Sequence, residues 1–432
     1  MNPRELLEAS FRAAIEAADP RRILRRFLPQ APGQDGTTLV VAIGKAAASM
    51  AQAAEEGWPG GAPLHGIALT RYGHTLPTRY VQVVEAAHPV PDAAGERAAR
   101  QILDEVRRLR AHDLLLALIS GGGSSLLALP SPSLPLGDLQ AVTRSLLASG
   151  ASIQEINAVR KHLSSVQGGR LAAACAASIC ALVISDVAGD DITHIASGPF
   201  APDPTTYAEA LRILCVYGIT PPAVARALLE AGARGEIPET PKPGDALFSR
   251  VRHHVIASAR QSLEAAAEVF RRNDVHPVIL GDSVTGEARE VAKVFAAIAR
   301  QAKHGSAPFR LPAALISGGE CTVALGRTPG AARGLGGRCA EYLLSLAIEL
   351  AREPGIHALA CDTDGIDGTG HNAGALIAPD TLARARDRGL DPRKALAKHD
   401  SHGFFDSLGD LVLTGPTFTN VNDYRAVLVT RA

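Results

Sequence analysis

The sequence predicts an α/β protein of two units, each with a strand that ends in a glycine turn, the two facing one another across a cleft. Three observations carry this reading. Leu114 to Ile119 is an unbroken apolar run, the length of a strand buried on both faces of a parallel sheet. Ser120, Gly121, Gly122, Gly123, Ser124 and Ser125 follow at once, and nearly two hundred residues later the phrase returns as Leu315, Ile316, Ser317, Gly318, Gly319 and Glu320. Finally, 432 residues exceed one average domain, so two are expected.

Taken in order, residues 4–28 read as a helix with Leu6, Leu7, Phe11, Ile15, Ile23, Leu24 and Phe27 on its inner side. Leu39 to Ile43 is a β-rich run that ends in Gly44-Lys45-Ala46-Ala47, where a helix begins. Gly66 to Thr70 and Val81 to Glu85 read as strands. The loop His88-Pro89-Val90-Pro91-Asp92 then precedes a helix over Glu96 to Arg110. Strand and helix alternate as a doubly wound sheet requires.

Past the central turn come a proline-rich loop, Pro130 to Pro135, and helical text from Leu139. Ile156 to Leu163 carries three adjacent basic residues, Arg160, Lys161 and His162, which suit either a solvated helix face or anion binding. Ala181 to Ile184 is the next strand, leading into Ser185-Asp186-Val187-Ala188-Gly189-Asp190-Asp191. Gly235 to Asp245, with three prolines, reads as the linker, so the expected domains are 1–240 and 241–432. Val251 to Ser258, Val275 to Leu280 and Ala313 to Ile316 read as strands beyond it, and Ala288 to Lys303 as a helix.

Composition narrows the function. Apolar residues make up 46% and charged ones 20%, enough for ordinary cores, and the formal net charge is zero. That balance argues against a nucleic-acid binder. The longest apolar run, Leu171 to Ile184, is too short to span a membrane, and the amphipathic, partly acidic N-terminus lacks a signal core. A cytoplasmic protein is expected, and a homodimer is compatible with the sequence. The six cysteines form no Cys-x-x-Cys pair and sit mostly in apolar runs, so they read as buried thiols, not zinc ligands or bridges.

The chemistry clusters at predicted strand ends, where open α/β sheets bind ligands. Glycine turns such as Ser120–Ser125 and Ser317–Glu320 cradle phosphates or carboxylates with backbone N–H groups. Gly334-Leu335-Gly336-Gly337-Arg338 is a flexible loop ending in a guanidinium. Asp362-Thr363-Asp364-Gly365-Ile366-Asp367 places three carboxylates within six residues, a pattern that suits magnesium and, equally, a plain Asp-Gly turn. Thr414 to Asp423, with Thr417, Asn420 and Asn422, is a polar loop. These are the parts of a phosphoryl-transfer site, where positioning and charge stabilisation supply most of the rate. Neither Gly-x-x-x-x-Gly-Lys-Ser/Thr nor Gly-x-Gly-x-x-Gly occurs, so the chain is not a P-loop enzyme and lacks the dinucleotide fingerprint.

On these motifs the chain resembles the MOFRL-type glycerate 2-kinases, some of whose members are labelled hydroxypyruvate reductases. The likeness runs through Gly44–Ala47, His88–Asp92, Leu118–Leu127, Asn157–Leu163, Ser185–Asp191, Ser317–Glu320, Gly334–Arg338, Thr363–Gly368 and Thr414–Asp423. It implies a Rossmann-like N-terminal domain and a MOFRL α/β domain with the active site between them. It also implies transfer of the γ-phosphoryl of ATP, with Mg2+, to the 2-hydroxyl of D-glycerate. The family's active-site lysine and arginine fall on Lys45 and Arg338. Combined with the chemistry, Asp186 or Asp190 orients the attacking hydroxyl or holds metal, and Ser120 to Ser125 bind the substrate's anion. Ser317, Gly318, Gly319, Glu320, Gly336, Gly337, Thr363, Asp364, Gly365, Thr417, Asn420 and Asn422 serve the nucleotide, and Asp364 and Asp367 the metal. One departure is that Cys339 and Ala340 replace the family's usual Asn-Gln after Gly-Gly-Arg. The rival readings are an NAD(P)H-dependent hydroxypyruvate reductase and a non-catalytic sugar-acid sensor.

Overall fold

The computed structural model describes residues 1–305, 308–324 and 334–431. The chain divides into two compact units, Pro20–Ile256 on one hand and Met1–Asp19 with Ala257–Ala432 on the other. This division differs from the expected 240/241 boundary. Gly235–Asp245 is tied into the first unit: Thr240 is buried and donates its hydroxyl to Asp203 at 3.0 Å. The expected helix over 4–28 stops at Ala17 and restarts at Pro20. Pro20 has no N–H to continue the ladder, and the two pieces go to different units.

Among the described residues the first unit holds a six-stranded sheet of β1 (Thr38–Ile43), β2 (Leu64–Arg71), β3 (Val81–Ala86), β4 (Leu114–Ile119), β5 (Ser178–Ile184) and β6 (Val251–Ala257). Their order is β3-β2-β1-β4-β5-β6, and the pairings from β3 through β5 are parallel. β1 (TLVVAI) and β4 (LLLALI) are buried at every position, as central parallel strands covered on both faces must be. Leu39, Val41 and Ile43 pack with Ile102 and Val106 of the helix Ala93–Arg108. Val40 and Ala42, equally buried, point to the opposite face. A satellite core of helices Leu136–Ser149, Ile153–His162, Tyr207–Val216 and Ala223–Ala233 completes the unit.

The second unit is built on a mixed sheet of β7 (His276–Gly281), β8 (Ala313–Ser317), β9 (Ile356–Asp362), β10 (Gly374–Ile377), β11 (Leu411–Val412) and β12 (Asp423–Val429). Their order is β11-β10-β9-β12-β8-β7. Only the β7–β8 pairing is parallel among those described. Leu315, Ala358, Ala360 and Val427 pack with helices Ala288–Lys303 and Arg338–Leu350. The other face, with Ile316, Leu359, Cys361 and Ala426, meets the helices Pro3–Ala17 and Ala259–Arg271. The N-terminal helix is firmly tied there. Phe11 stacks on Tyr424 at 5.7 Å, and the Tyr424 hydroxyl donates to Ser10 Oγ at 2.8 Å.

Candidate active-site elements

In the first unit the strand order reverses between β1 and β4, the place where doubly wound sheets leave a crevice beyond their carboxyl ends. The two turns that follow these strands are stitched together there. Gly44 has φ +116°, and a Cβ on it would lie 2.3 Å from the Ser120 carbonyl oxygen, so only glycine fits. Lys45 N donates to Gly121 O at 2.9 Å, and Ala46 N to Ser120 Oγ at 3.0 Å. Ser120 Oγ in turn donates to Ile43 O at 3.2 Å. Gly122, at φ +82°, lies under Lys45 and His88: a Cβ there would approach Lys45 Cγ to 3.3 Å and the His88 ring to 3.2 Å.

The sequence-predicted substrate turn is therefore one compact piece, though its members differ. Ser120 is committed to the turn after β1, Ser125 Oγ donates to Gly122 O, and Ser124 Oγ accepts from Ser197 Oγ at 2.8 Å. The helix that follows, Gly123–Leu126, is a single turn, so its dipole lends little to an anion there. Asp186 and Asp190 lie just past the end of β5, the neighbour of β4, both half-buried, with Asp190 in the left-handed region at φ +54°.

The basic cluster is not a solvated face. Arg160, Lys161 and His162 are all buried, at 7%, 1% and 0% exposure. Lys161 Nζ meets Asp203 Oδ1 at 3.2 Å, and Asp203 also accepts from Thr205 and Thr240. Burial pulls the Lys161 ammonium down from its usual range, and Asp203 opposes it. His162 is held by Ala158 O at 2.7 Å and Glu239 at 3.2 Å. Arg160 has no such partner: among the described residues no acceptor bonds its guanidinium. The register of the helix Ile153–His162 carried the signal for this, since Arg160 stands four residues after buried Ile156 and three before buried Leu163.

In the second unit the ends of β8 and β9 and the start of β12 converge on Arg338. Its guanidinium bonds Asp423 Oδ1 at 2.7 Å, Asp362 Oδ2 at 2.6 Å and Glu320 Oε1 at 2.8 Å. Burial works against this charge, but the three carboxylates hold its pKa well above the usual arginine range. Asp362 and Asp423, absent from the predicted site residues, are thus its principal partners. Asp423 also binds Arg425 at 2.6 Å. Gly319 (φ +99°) packs its backbone against Val284, where a Cβ would lie 2.4 Å from the Val284 nitrogen. Thr363 Oγ1 donates to Asn422 O at 2.7 Å and accepts from Val421 N, and Thr417 N donates to Asp364 O at 3.1 Å. Thr363, Asp364, Gly365, Thr417, Asn420 and Asn422 therefore form one hydrogen-bonded loop pair, with Asn420 Oδ1 accepting from Asn422 N.

Both residues of the predicted metal pair accept hydrogen bonds from backbone amides. Asp367 accepts Cys339 N on Oδ1 at 3.0 Å and Ala340 N on Oδ2 at 2.8 Å, capping the helix Arg338–Leu350 with both oxygens. Burial pushes its carboxyl up to about 7 against the pull of those amides. Asp364 Oδ1 is taken by Ile366 N at 2.9 Å. Among the described residues no group of three His, Cys, Asp or Glu side chains is placed to hold a metal. Gly336 and Gly337 are close-packing glycines: a Cβ on Gly337 would lie 2.1 Å from Asp367 Oδ1. Cys339 and Ala340, which stand in place of two amides, are fully buried in the core.

Comparison with known proteins covers nearly the whole chain. Residues 6–230 match a family profile described as a domain of unknown function (DUF4147), and residues 313–423 match the MOFRL family. A D-glycerate 2-kinase from Thermotoga maritima is 40% identical over 413 residues, covering 95% of this chain and 94% of that one. A relative from Agrobacterium vitis is 49% identical over 430 residues, covering 99% and 95%, and bears the provisional name of hydroxypyruvate reductase. The crystal structure of a glycerate kinase from Thermotoga maritima superposes with a TM-score of 0.84 at 38% identity, over 99% of both chains.

Proposed function

This chain belongs to the MOFRL-type glycerate 2-kinase family, and we propose that it transfers the γ-phosphoryl group of ATP to the 2-hydroxyl of D-glycerate, giving 2-phosphoglycerate. The observation that carries the reading is the cationic turn at the β1/β4 reversal, where Lys45 is fixed over Gly122 by the bond from its own N–H to Gly121. A dinucleotide enzyme would need the pyrophosphate to approach backbone at that place, through a glycine fingerprint this sequence lacks. A lysine there favours a reaction in which negative charge has to be neutralised.

The roles follow from the chemistry. The Lys45 ammonium stabilises charge on the oxygens of the phosphoryl group in transit. The Ser120–Ser125 turn receives the acid's anionic end, and Asp186 or Asp190 accepts a hydrogen bond from the attacking hydroxyl. In the second unit the Ser317–Glu320 turn, Gly336, Gly337 and the paired loops of Thr363–Gly365 and Thr417–Asn422 take the nucleotide. Arg338 is already neutralised by three carboxylates, so it chiefly orders the strand ends. Glu320, whose side chain is 52% exposed, is the partner a phosphate displaces most easily. Magnesium enters as part of the Mg-ATP substrate, a hard ion carried mainly by phosphate oxygens and water.

A coupled assay tests this directly. Purified protein with D-glycerate and Mg-ATP should release ADP only when glycerate is present, and NADH should stay constant in a parallel cuvette with hydroxypyruvate. NADH oxidation without ADP release would select the reductase; binding of glycerate with neither reaction would select a sensor.

A further inference from the structure

We propose that Arg160 is the carboxylate seat of the first unit, the residue that binds the acid end of the acceptor. The proposal rests on the kinase reading for the identity of the acid, but not for the existence of the seat.

Arg160 lines a small pocket together with Ser124, Ser125, Thr143, Ser164 and Gln167. It is 93% buried by its 7% exposure, and no carboxylate or carbonyl among the described residues meets its guanidinium. Its neighbours in sequence sharpen the contrast. Lys161 and His162 are buried just as deeply, and each has its partners from Asp203, Glu239 and the backbone. An arginine so nearly withdrawn from water without a counter-charge is costly, and this one keeps only a narrow opening to solvent. Burial lowers its pKa only to about 10, so the charge is retained near neutral pH. A ligand anion is the missing partner.

The pocket also says which anion. It takes in Ser124 and Ser125, the far end of the turn whose near end touches Lys45 through Gly121 and Gly122. Gln167 holds that far end rigid, its Nε2 donating to Ser124 O at 2.8 Å and Leu127 O at 3.0 Å. The acid's carboxylate is assigned to Arg160 and its other end to the Ser120–Ser125 turn, of which Ser124 and Ser125 line the pocket. The planar fork of arginine suits the two oxygens of a carboxylate. As it stands the pocket has room for about one water, which the carboxylate would displace.

The test uses the full-length protein with Arg160→Met, which keeps length and removes charge, and Arg160→Lys, which keeps charge and removes the fork. For Arg160→Met, KM for D-glycerate should rise about 10- to 100-fold while KM for Mg-ATP stays within threefold. Arg160→Lys should fall between it and the wild type. The melting temperature of Arg160→Met should not drop, because removing a buried unpaired charge relieves a cost. An unchanged KM for D-glycerate, or a rise in KM for ATP instead, overturns the assignment. So does a Tm loss with glycerate affinity preserved. Should the wild type release no ADP at all, the kinase reading fails by itself, and the seat is then judged by thermal protection. D-glycerate should raise the wild-type Tm, its neutral amide glyceramide should not, and Arg160→Met should respond to neither. Equal protection by acid and amide, or no protection of the wild type, removes the carboxylate seat.

Discussion

At the scale of single residues, the buried charges divide into those that hold the fold and those that await a ligand. Arg160 belongs to the second group, and Lys45, half-buried in its turn, is assigned to the reacting phosphoryl. Lys45→Ala should lower kcat by about 10²- to 10³-fold, as expected when a group that stabilises developing charge is lost. The melting temperature should stay within a few degrees of wild type, and a near-normal kcat in the coupled assay would remove the lysine from the mechanism. Asp367 belongs to the first group. Its carboxyl is pushed up to about 7, so between about pH 4 and pH 7 only the unfolded chain gives up the proton. The stability it contributes is therefore complete below about pH 4 and is lost as pH rises through about 7. Thermal melts from pH 4 to 8 should show this decline in the wild type, and Asp367→Asn should flatten it. Asn presents an N–H₂ group to one of the two amides that Asp367 accepts, so that variant should also melt lower at acid pH. Lys45 came from the family resemblance, since a lysine after a strand and a glycine reads by itself as an ordinary surface residue. The roles of Arg160 and Asp367 were not legible, because each depends on which neighbours it meets, and sequence spacing alone left both a bland alternative.

At the scale of elements, the strand-end turns are where sequence and structure agree most closely. β1, β4 and β8 stand where the apolar runs place them, since a strand covered on both faces has no polar position to confuse the pattern. β12 escaped notice because Asp423 and Arg425 interrupt its apolar text, yet both are buried and bonded to each other inside the sheet. A paired charge loses its value as a surface marker. The turn after β1 gives a sharp prediction. Gly44→Ala puts a methyl group 2.3 Å from the Ser120 carbonyl oxygen in a left-handed backbone, which should cost about 2 kcal/mol or more. Because that carbonyl belongs to the turn that positions Lys45, denaturant unfolding should show the lost stability and the assay a lower kcat together. Normal activity at reduced stability would separate the turn from catalysis.

At the scale of the whole molecule, the two-unit organisation was readable from length and from the repeated glycine phrase, but the chain's path was not. Composition marked Gly235–Asp245 as a linker because prolines are common there; Thr240 shows that prolines also line a well-bonded loop. Nothing in the periodicity of the first helix told which core it joins, since an amphipathic face fits any apolar surface of similar curvature. Its Leu7 and Phe11 are fully buried against the second unit's sheet, each worth about 2 kcal/mol or more of burial. Removing residues 1–19 should lower one calorimetric transition by ten degrees or so and leave the other in place. A uniform shift of both, or of neither, would contradict the division. The helix Pro3–Ala17 is thus made before the rest of the body it joins, with roughly 240 residues of another unit made in between. At about 5–20 residues per second, its apolar stripe stays uncovered for some tens of seconds during each round of synthesis. That interval makes this segment the one a nascent-chain chaperone has most reason to hold.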